Sequence, residues 1–293
     1  MSSFQLVPYQ PEHRDDYLRL LRRAWGEEAM SGAELDWWFQ GNPAGSLMSV
    51  ASMGGRVVGV AAHSLCRMVL RGSECLVSFS VHAATDPSAR GRGIFTALER
   101  RHEEEAAARG VACALSFASP STASVFLSRL GWTEIGRLRV WARPVLRSGA
   151  QAASQALDVD GDAAASWPNH VVRDARYLRW RYLDSPRGYL ALRSPGGYAV
   201  VWPAKRHRRR RIAVLCDLVA PIGEVPDLLR RAAQVANARV LFALPGPGER
   251  GAFLSCGFVP TPLTLHLVGK ELAEPLDTDL AAWRLTLGDT DFF

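Results

Sequence analysis

The chain has 293 residues, 48% of them hydrophobic, and a mean hydropathy of -0.04, which is typical of a core-forming globular protein. This length allows one large domain or two of ordinary size. No apolar run approaches the ~20 residues that a membrane-spanning helix needs. Residues 1–16 lack the basic and then apolar layout of a signal peptide. We therefore expect a cytoplasmic protein with no membrane partner.

The cysteine spacing bears on disulfides and metal sites, and the net charge bears on the kind of partner. The five cysteines are odd in number, scattered and never in C-x-x-C spacing, which argues against a disulfide framework and against a zinc site. We accordingly predict no bound metal. The net charge of +6 indicates an anionic partner, which is nucleic acid, a membrane surface or a phosphate-bearing small ligand.

The spacing of apolar residues predicts a strand, two helical segments and three further strands joined by glycine turns, which form an antiparallel meander. In chain order these elements are Phe4–Tyr9, a helix from Pro11 to Trp25, Ala33–Phe39, Leu47–Met53, Val57–Leu70 and Cys75–Ala84. The second helical segment carries an aromatic cluster, Trp37, Trp38 and Phe39, which we interpret as core packing.

The stretch Ser80–Leu98 joins the last of these strands to a predicted helix, Ile94–Ala108, through the turn Arg90-Gly91-Arg92-Gly93. Glycines let an anion approach the backbone, and the start of a helix offers N–H groups with partial positive charge. The two arginines add formal charge. We interpret this turn as a pyrophosphate cradle, and the charged run 99–105 on the helix as a solvated face.

Two common phosphate motifs do not fit this turn. It has no Gly-Lys-Ser/Thr ending of a P-loop, and Thr96 stands where a G-x-G-x-x-G fingerprint needs glycine. Arg90–Phe95 instead resembles the R/Q-x-x-G-x-G/A acyl-CoA loop of the GNAT N-acyltransferase superfamily. Phe95 departs from that pattern, and its ring must swing aside or shift the cofactor slightly. The alternative is a glycine-rich turn that only joins strand to helix.

A strand, Val111–Ala118, follows the helix, and it is parallel to the strand before the helix because a helical crossover joins the two. Two parallel strands that splay at their ends would open a slot for a pantetheine arm. A short helix from Ser119 to Leu127 and a closing hairpin, Thr133–Arg143, complete the resemblance. Leu127 stands where many family members carry a tyrosine that protonates the leaving thiolate.

The second half repeats the first in outline. It predicts a hairpin, Gly188–Val201, a strand, Arg211–Val219, and a helix, Val225–Ala236, but Leu218–Gly223 has no phosphate loop. The positions that align without gaps are Leu35, Trp37, Phe39 and Pro43 with Leu178, Trp180, Tyr182 and Pro186.

The chain therefore resembles a tandem GNAT protein of the α/β (α+β) class. Residues 1–146 would form a GNAT domain that binds acyl-CoA, 147–168 a linker, and 169–293 a degenerate GNAT-like domain. Each domain would be a mixed, mostly antiparallel sheet flanked by helices, with one splayed parallel strand pair.

The resemblance implies an N-acyltransferase that moves an acyl group, acetyl by preference, from acetyl-CoA or another acyl-CoA to an amine of a small molecule or peptide. The Ala83 N–H would polarise the thioester carbonyl. His82 is a candidate base, or else a packed or hydrogen-bonded histidine. Ser124 would relay a proton to the thiolate through water, or else bond its own backbone. The residues expected to bind the cofactor are Ala83, Ala84, Thr85, Arg90, Gly91, Arg92, Gly93, Ile94, Phe95, Thr96 and Ser121.

Two other functions stay open. Fem-type aminoacyl-tRNA-dependent transferases also look like paired GNAT domains, and the basic run Lys205–Arg211 could grip a nucleic acid backbone. We favour a solvated hairpin turn for this run, because no aromatic residues interleave with its arginines. A non-catalytic acyl-CoA sensor is the other alternative. The oligomeric state is left open.

Overall fold

The computed structural model describes residues 4–145, 167–207 and 210–290. Most of the predicted linker, 147–168, lies outside these residues, as do positions 208 and 209 of the basic run. The chain forms two compact units, and neither is a single stretch of sequence. The first comprises Met1–Arg67, Cys75–Ile135 and His266–Thr278, and the second comprises Met68–Glu74, Gly136–Leu265 and Asp279–Phe293.

The first unit is built on a mixed sheet. Its N-terminal strands are antiparallel neighbours, whereas the fourth and fifth strands are parallel, with Val77 opposite Cys113 and Phe79 opposite Leu115. The predicted parallel pair is therefore confirmed. Side by side, these strands are β1 (Gln5–Pro8), β2 (Ser46–Met53), β3 (Arg56–Leu70), β4 (Ser73–Thr85) and β5 (Cys113–Ala118).

Four α-helices are described in the first unit, namely α1 (Arg14–Trp25), α2 (Gly32–Leu35), α3 (Ile94–Ala108) and α4 (Pro120–Val125). π-helical turns follow directly after α2 and α4, at Asp36–Gln40 and Phe126–Leu130. The crossover from β4 to β5 is α3, and its apolar side packs on β2 and β3. The aromatic cluster after α2 is buried, as predicted.

The strand that completes the first sheet comes from the C-terminal part of the chain. β12 (Val259–Glu271) enters the first unit at His266 and pairs antiparallel with β5, with His266 opposite Ala118. β6 (Thr133–Pro144) is one continuous strand, so the predicted hairpin over Thr133–Arg143 is wrong. The physical reason is that β6 finds its hydrogen-bond partner far along the chain, in β11 (Val240–Ala243).

The second unit has the same local plan. β8 (Leu190–Ser194) and β9 (Gly197–His207) form the predicted hairpin, and β10 (Arg210–Val219) lies between β9 and β11. β10 and β11 are parallel and are joined by α6 (Val225–Val235). α5 (Ala175–Leu178) continues into a π-helical turn at Arg179–Leu183, just as α2 does in the first unit.

The second unit also contains a short helix and two short strands. They are α7 (Arg250–Ser255), β7 (Asn169–Val171) and β13 (Trp283–Arg284), of which the two strands pair in parallel.

A buried ionic cluster lies in the second unit. Arg173 Nε lies 2.8 Å from Asp217 Oδ2, and its Nη2 lies 2.9 Å from Asp289 Oδ2. The hydroxyls of Tyr182 and Tyr198 donate to Asp217 Oδ2 over 3.1 and 3.2 Å. Burial first, and then the Asp217 carboxylate, raise the pKa of both tyrosines well above the usual value, so both stay hydroxyl donors at neutral pH.

Three structural findings concern the basic run, membrane-spanning helices and metal sites. Lys205–His207 lie on β9 and Arg210–Arg211 on β10, the two paired strands of the expected hairpin, and nucleic acid binding by the basic run stays a prediction. None of the described helices combines the length and apolarity needed to cross a membrane. Among the described residues, no group of three or more His, Cys, Asp or Glu side chains could hold a metal ion.

Candidate functional site

The carboxyl ends of β4 and β5 separate. Their pairing ends at Phe79 and Leu115, yet β4 continues to Thr85. Ala83, Ala84 and Thr85, the residues expected to bind pantetheine, lie on this extension. Ala84 is buried, and the other two are half-buried. The extension thus presents backbone that β5 does not pair, as the predicted splayed strands require.

His82 interrupts the regular strand just before Ala83. Its φ is +44°, in the left-handed region that non-glycine residues rarely adopt. The imidazole ring lies edge-on to Trp25, Trp38 and Phe39, with ring centroids 5.6, 6.3 and 6.1 Å away. This strained backbone position directly precedes Ala83, and the ring contacts aromatic residues of α1 and of the turn after α2.

The predicted phosphate cradle is open. Gly91 and Gly93 both have φ of +77°, and a Cβ at either position would meet no atom within 4 Å. Gly93 is the N-cap of α3, and no side chain caps that helix start. Arg90 and Arg92 are exposed on either side. The backbone donors at the start of α3 and the two guanidinium groups together suit a phosphate chain.

Asp86 fixes the loop between β4 and the cradle. Its Oδ1 accepts hydrogen bonds from the Ser88 amide, over 3.0 Å, and from the Ser88 hydroxyl, over 2.6 Å. Its Oδ2 lies 3.0 Å from both Arg23 Nη1 and Arg56 Nη2. The Ser88 hydrogen bonds above all, and then the arginines, lower the pKa of Asp86 to about 2. Asp86 was not singled out in the sequence analysis, although Asp-Pro-Ser is an N-cap signal.

Close packing sets the position of the α3 start. A Cβ on Gly59 of β3 would lie 2.3 Å from Ile94 Cγ2, so only glycine lets the helix approach this strand. Phe95 packs its ring on Phe126, with centroids 5.6 Å apart. Its ring thus packs against an apolar cluster that contains Phe126 and Trp132. Thr96 is half-buried in the same helical turn.

The start of α4 follows the end of β5 directly. Ser119 caps this helix by accepting from the Thr122 amide over 3.3 Å, and its hydroxyl lies 3.0 Å from the Ser121 hydroxyl. Ser124 is exposed, and its carbonyl accepts from Ser128 Oγ over 2.6 Å. Leu127 is 37% exposed. Ser121 and the strand residues Ala83–Thr85 therefore belong to the same carboxyl edge of the parallel pair.

The prediction that residues 99–105 form a solvated face is wrong for three of them, Glu99, His102 and Glu103, which are buried. Glu103 Oε2 lies 2.5 Å from Lys270 Nζ, and Glu103 Oε1 accepts from Trp132 Nε1 over 2.7 Å. Burial above all lowers the pKa of His102 well below its usual value. These polar side chains are tolerated in the interior because Glu99 and Glu103 have hydrogen-bond partners and His102 can stay neutral.

Residues 6–135 match the protein family described as Acetyltransferase (GNAT) domain. Over these residues the chain is therefore similar to a GNAT acetyltransferase domain. The match runs from β1 to the first residues of β6 and contains the cradle, the splayed strands and α4. No curated protein sequence matches the chain.

Solved structures share the fold over most of the chain. Eis1 from Mycobacterium abscessus is 17% identical, with a TM-score of 0.59 over 92% of this chain and 74% of that one. A GCN5-related N-acetyltransferase from Kribbella flavida is 18% identical, with a TM-score of 0.62 over 93% and 72%. Saccharomyces cerevisiae N-myristoyltransferase with bound myristoyl-CoA is 10% identical, with a TM-score of 0.67 over 92% and 83%.

The second unit differs from the first at the start of its crossover helix. Glu224 is the N-cap of α6, and its Oε2 accepts from the Gly196 amide over 3.0 Å. A carboxylate at this point repels a phosphate, whereas the first unit offers two glycines and two arginines.

Proposed function

We propose that the chain is an acyl-CoA-dependent N-acyltransferase whose GNAT domain binds the coenzyme. The observation that supports this most strongly is the open, uncapped start of α3, with Gly91 and Gly93 left-handed and Arg90 and Arg92 exposed beside it. It follows a strand whose end β5 leaves unpaired, which suits a phosphate chain that continues into a pantetheine arm. We propose acetyl-CoA as the donor and a small-molecule or peptide amine as the acceptor.

The proposed reaction is direct attack by the acceptor amine on the thioester carbonyl. The Ala83 N–H stabilises the oxyanion as the C–N bond forms and the C–S bond breaks. The amine loses its proton to His82 or to water, and the CoA thiolate takes a proton from water hydrogen-bonded to Ser124. Because Leu127 offers no acid, this last proton comes through solvent.

Calorimetric titration of acetyl-CoA tests the cofactor site. Gly93→Glu would place a carboxylate at the cradle, and we expect it to weaken binding by at least about tenfold, since like charges repel there. Gly110→Glu is the matched control, because Gly110 is also left-handed and open, at φ +70°, but at the other end of α3. The control should bind like the parent. Failure of the parent to bind acetyl-CoA, a longer acyl-CoA or free CoA would overturn the proposal.

A turnover assay distinguishes an enzyme from a non-catalytic sensor. Release of the CoA thiol in the presence of a panel of small amines and peptides with free amino groups would identify a transferase and its acceptor class. Tight acetyl-CoA binding with no thiol release for any amine would favour the acyl-CoA sensor. Aminoacyl transfer from charged tRNA by a chain that binds no CoA would favour the Fem-type alternative.

A further inference from the structure

Ser80 lies at the point where β4 and β5 stop pairing. Its hydroxyl donates to Glu99 Oε1 of α3 over 3.2 Å, and this contact is buried. Glu99 is in turn held by His63 of β3, whose Nε2 lies 2.9 Å from Glu99 Oε2. These contacts link the first residue of β4 that β5 leaves unpaired to α3, the helix that begins at the cradle.

Ser116 engages the same residue from the other strand. Its hydroxyl donates to the Ser80 carbonyl over 3.2 Å, one residue beyond the last paired residues, Phe79 and Leu115. The Ser116 hydroxyl thus occupies the carbonyl that would accept the next backbone hydrogen bond between the two strands. A side-chain bond of this kind ends the ladder without leaving a buried carbonyl unpaired.

We infer that Glu99, Ser80 and Ser116 form a latch that sets where the two strands separate and so shapes the pantetheine slot. These are positioning residues, and the inference rests on the proposed function. The latch holds the extension Ala83–Thr85 away from β5, so that its backbone groups bind the pantetheine amides rather than a neighbouring strand.

Ser78 offers a matched control within the same buried network. Its hydroxyl lies 2.7 Å from His63 Nδ1, and it is fully buried. Ser78 is paired with Ala114 in the closed part of the ladder, two residues before Ser80. Loss of either hydroxyl removes one buried hydrogen bond, but only Ser80 lies at the separation point.

The test compares two ligands by calorimetry. Coenzyme A needs both the cradle and the slot, whereas adenosine 3′-phosphate 5′-diphosphate has the phosphates but no pantetheine arm. We expect Ser116→Ala and Ser80→Ala each to weaken CoA binding about five- to tenfold and binding of the diphosphate by less than about twofold, as for a hydrogen bond felt by one ligand alone. Ser78→Ala should leave both affinities within about twofold of the parent, although its melting temperature falls.

Each other outcome overturns the latch. Equal weakening of both ligands would show a general defect of the unit, and equal loss in Ser78→Ala would show that the separation point has no special role. If Ser116→Ala does not fold, as judged by circular dichroism, the affinities of Ser80→Ala and the parent for the two ligands are compared instead. If the parent binds CoA and both Ser80→Ala and Ser116→Ala bind it equally well, the latch alone is refuted, whereas a parent that binds neither CoA nor acetyl-CoA would refute the proposed function together with it.

Discussion

The Asp86 contacts lead to a prediction about stability and its pH dependence. In Asp86→Asn the shape is kept but the charge is lost, so the two arginines and the two Ser88 donors face an amide. Arg23 and Arg56 are 53% and 59% exposed, and pairs with such exposed partners contribute about 0.2–1 kcal/mol each. Weaker bonds from Ser88 remove about 0.5–1 kcal/mol more. We expect a total loss of about 1–3 kcal/mol at pH 7.

The sign of the pH effect follows from the lowered pKa of Asp86. Its value is about 2 in the folded protein against 3.8 for the ordinary carboxyl, so the charge stabilises the fold fully above about pH 4. This stabilisation is lost as the pH falls through the folded value. The difference between parent and variant should therefore be constant from pH 7 to pH 5 and shrink below about pH 4.

Urea unfolding of both proteins at several pH values between 7 and 3 measures this difference. Asp227→Asn is the control, because Asp227 forms only an exposed pair with Arg231, at 3.4 Å, and should change stability by less than about 0.5 kcal/mol. Equal stability of parent and Asp86→Asn at pH 7 would refute the reasoning. A loss that stays the same down to pH 3 would refute the electrostatic part of it.

Three further predictions concern other parts of the molecule. Arg173→Leu should destabilise the protein by about 3–5 kcal/mol in urea unfolding, because it leaves the carboxylates of Asp217 and Asp289 buried without their cation; a loss below about 1 kcal/mol would contradict this. Gly59→Ala should cost about 1–3 kcal/mol and weaken acetyl-CoA binding, because the added Cβ displaces the start of α3; unchanged calorimetry would argue against that displacement. Cys216 should resist iodoacetamide at pH 7.5 until the protein is unfolded, as followed by mass spectrometry, because burial raises the pKa of its thiol to about 11; rapid labelling of the folded protein would refute this.

Local patterns predicted the elements around the site well. The strand Cys75–Ala84, the glycine turn and the helix that starts at Ile94 were all predicted from neighbours in sequence, and the structure has them within a few residues of the expected bounds. The parallel direction of β4 and β5 followed from the crossover alone. The site roles of His82, Ala83 and Ser124 stay predictions, because they depend on a bound ligand.

The pairing of strands that are distant in sequence could not be predicted from the sequence. The antiparallel partner of β5 is the segment His266–Glu271, and nothing near either segment specifies the pairing. The burial of Glu99 was equally hidden, because its partners His63 and Ser80 lie on two other elements of the first unit. From sequence alone, a charged residue in a helix is predicted to be exposed, because its hydrogen-bond partners on other elements are not known.

The sequence by itself determined the cradle, since φ freedom, helix polarity and charge are properties of adjacent residues. Only the tertiary structure decided where β4 and β5 separate, because the hydrogen bonds that end the ladder join Ser80 to Ser116 and Glu99, which are distant in sequence. Contacts of that kind form when the folded backbone brings the partners together, so no local pattern encodes them.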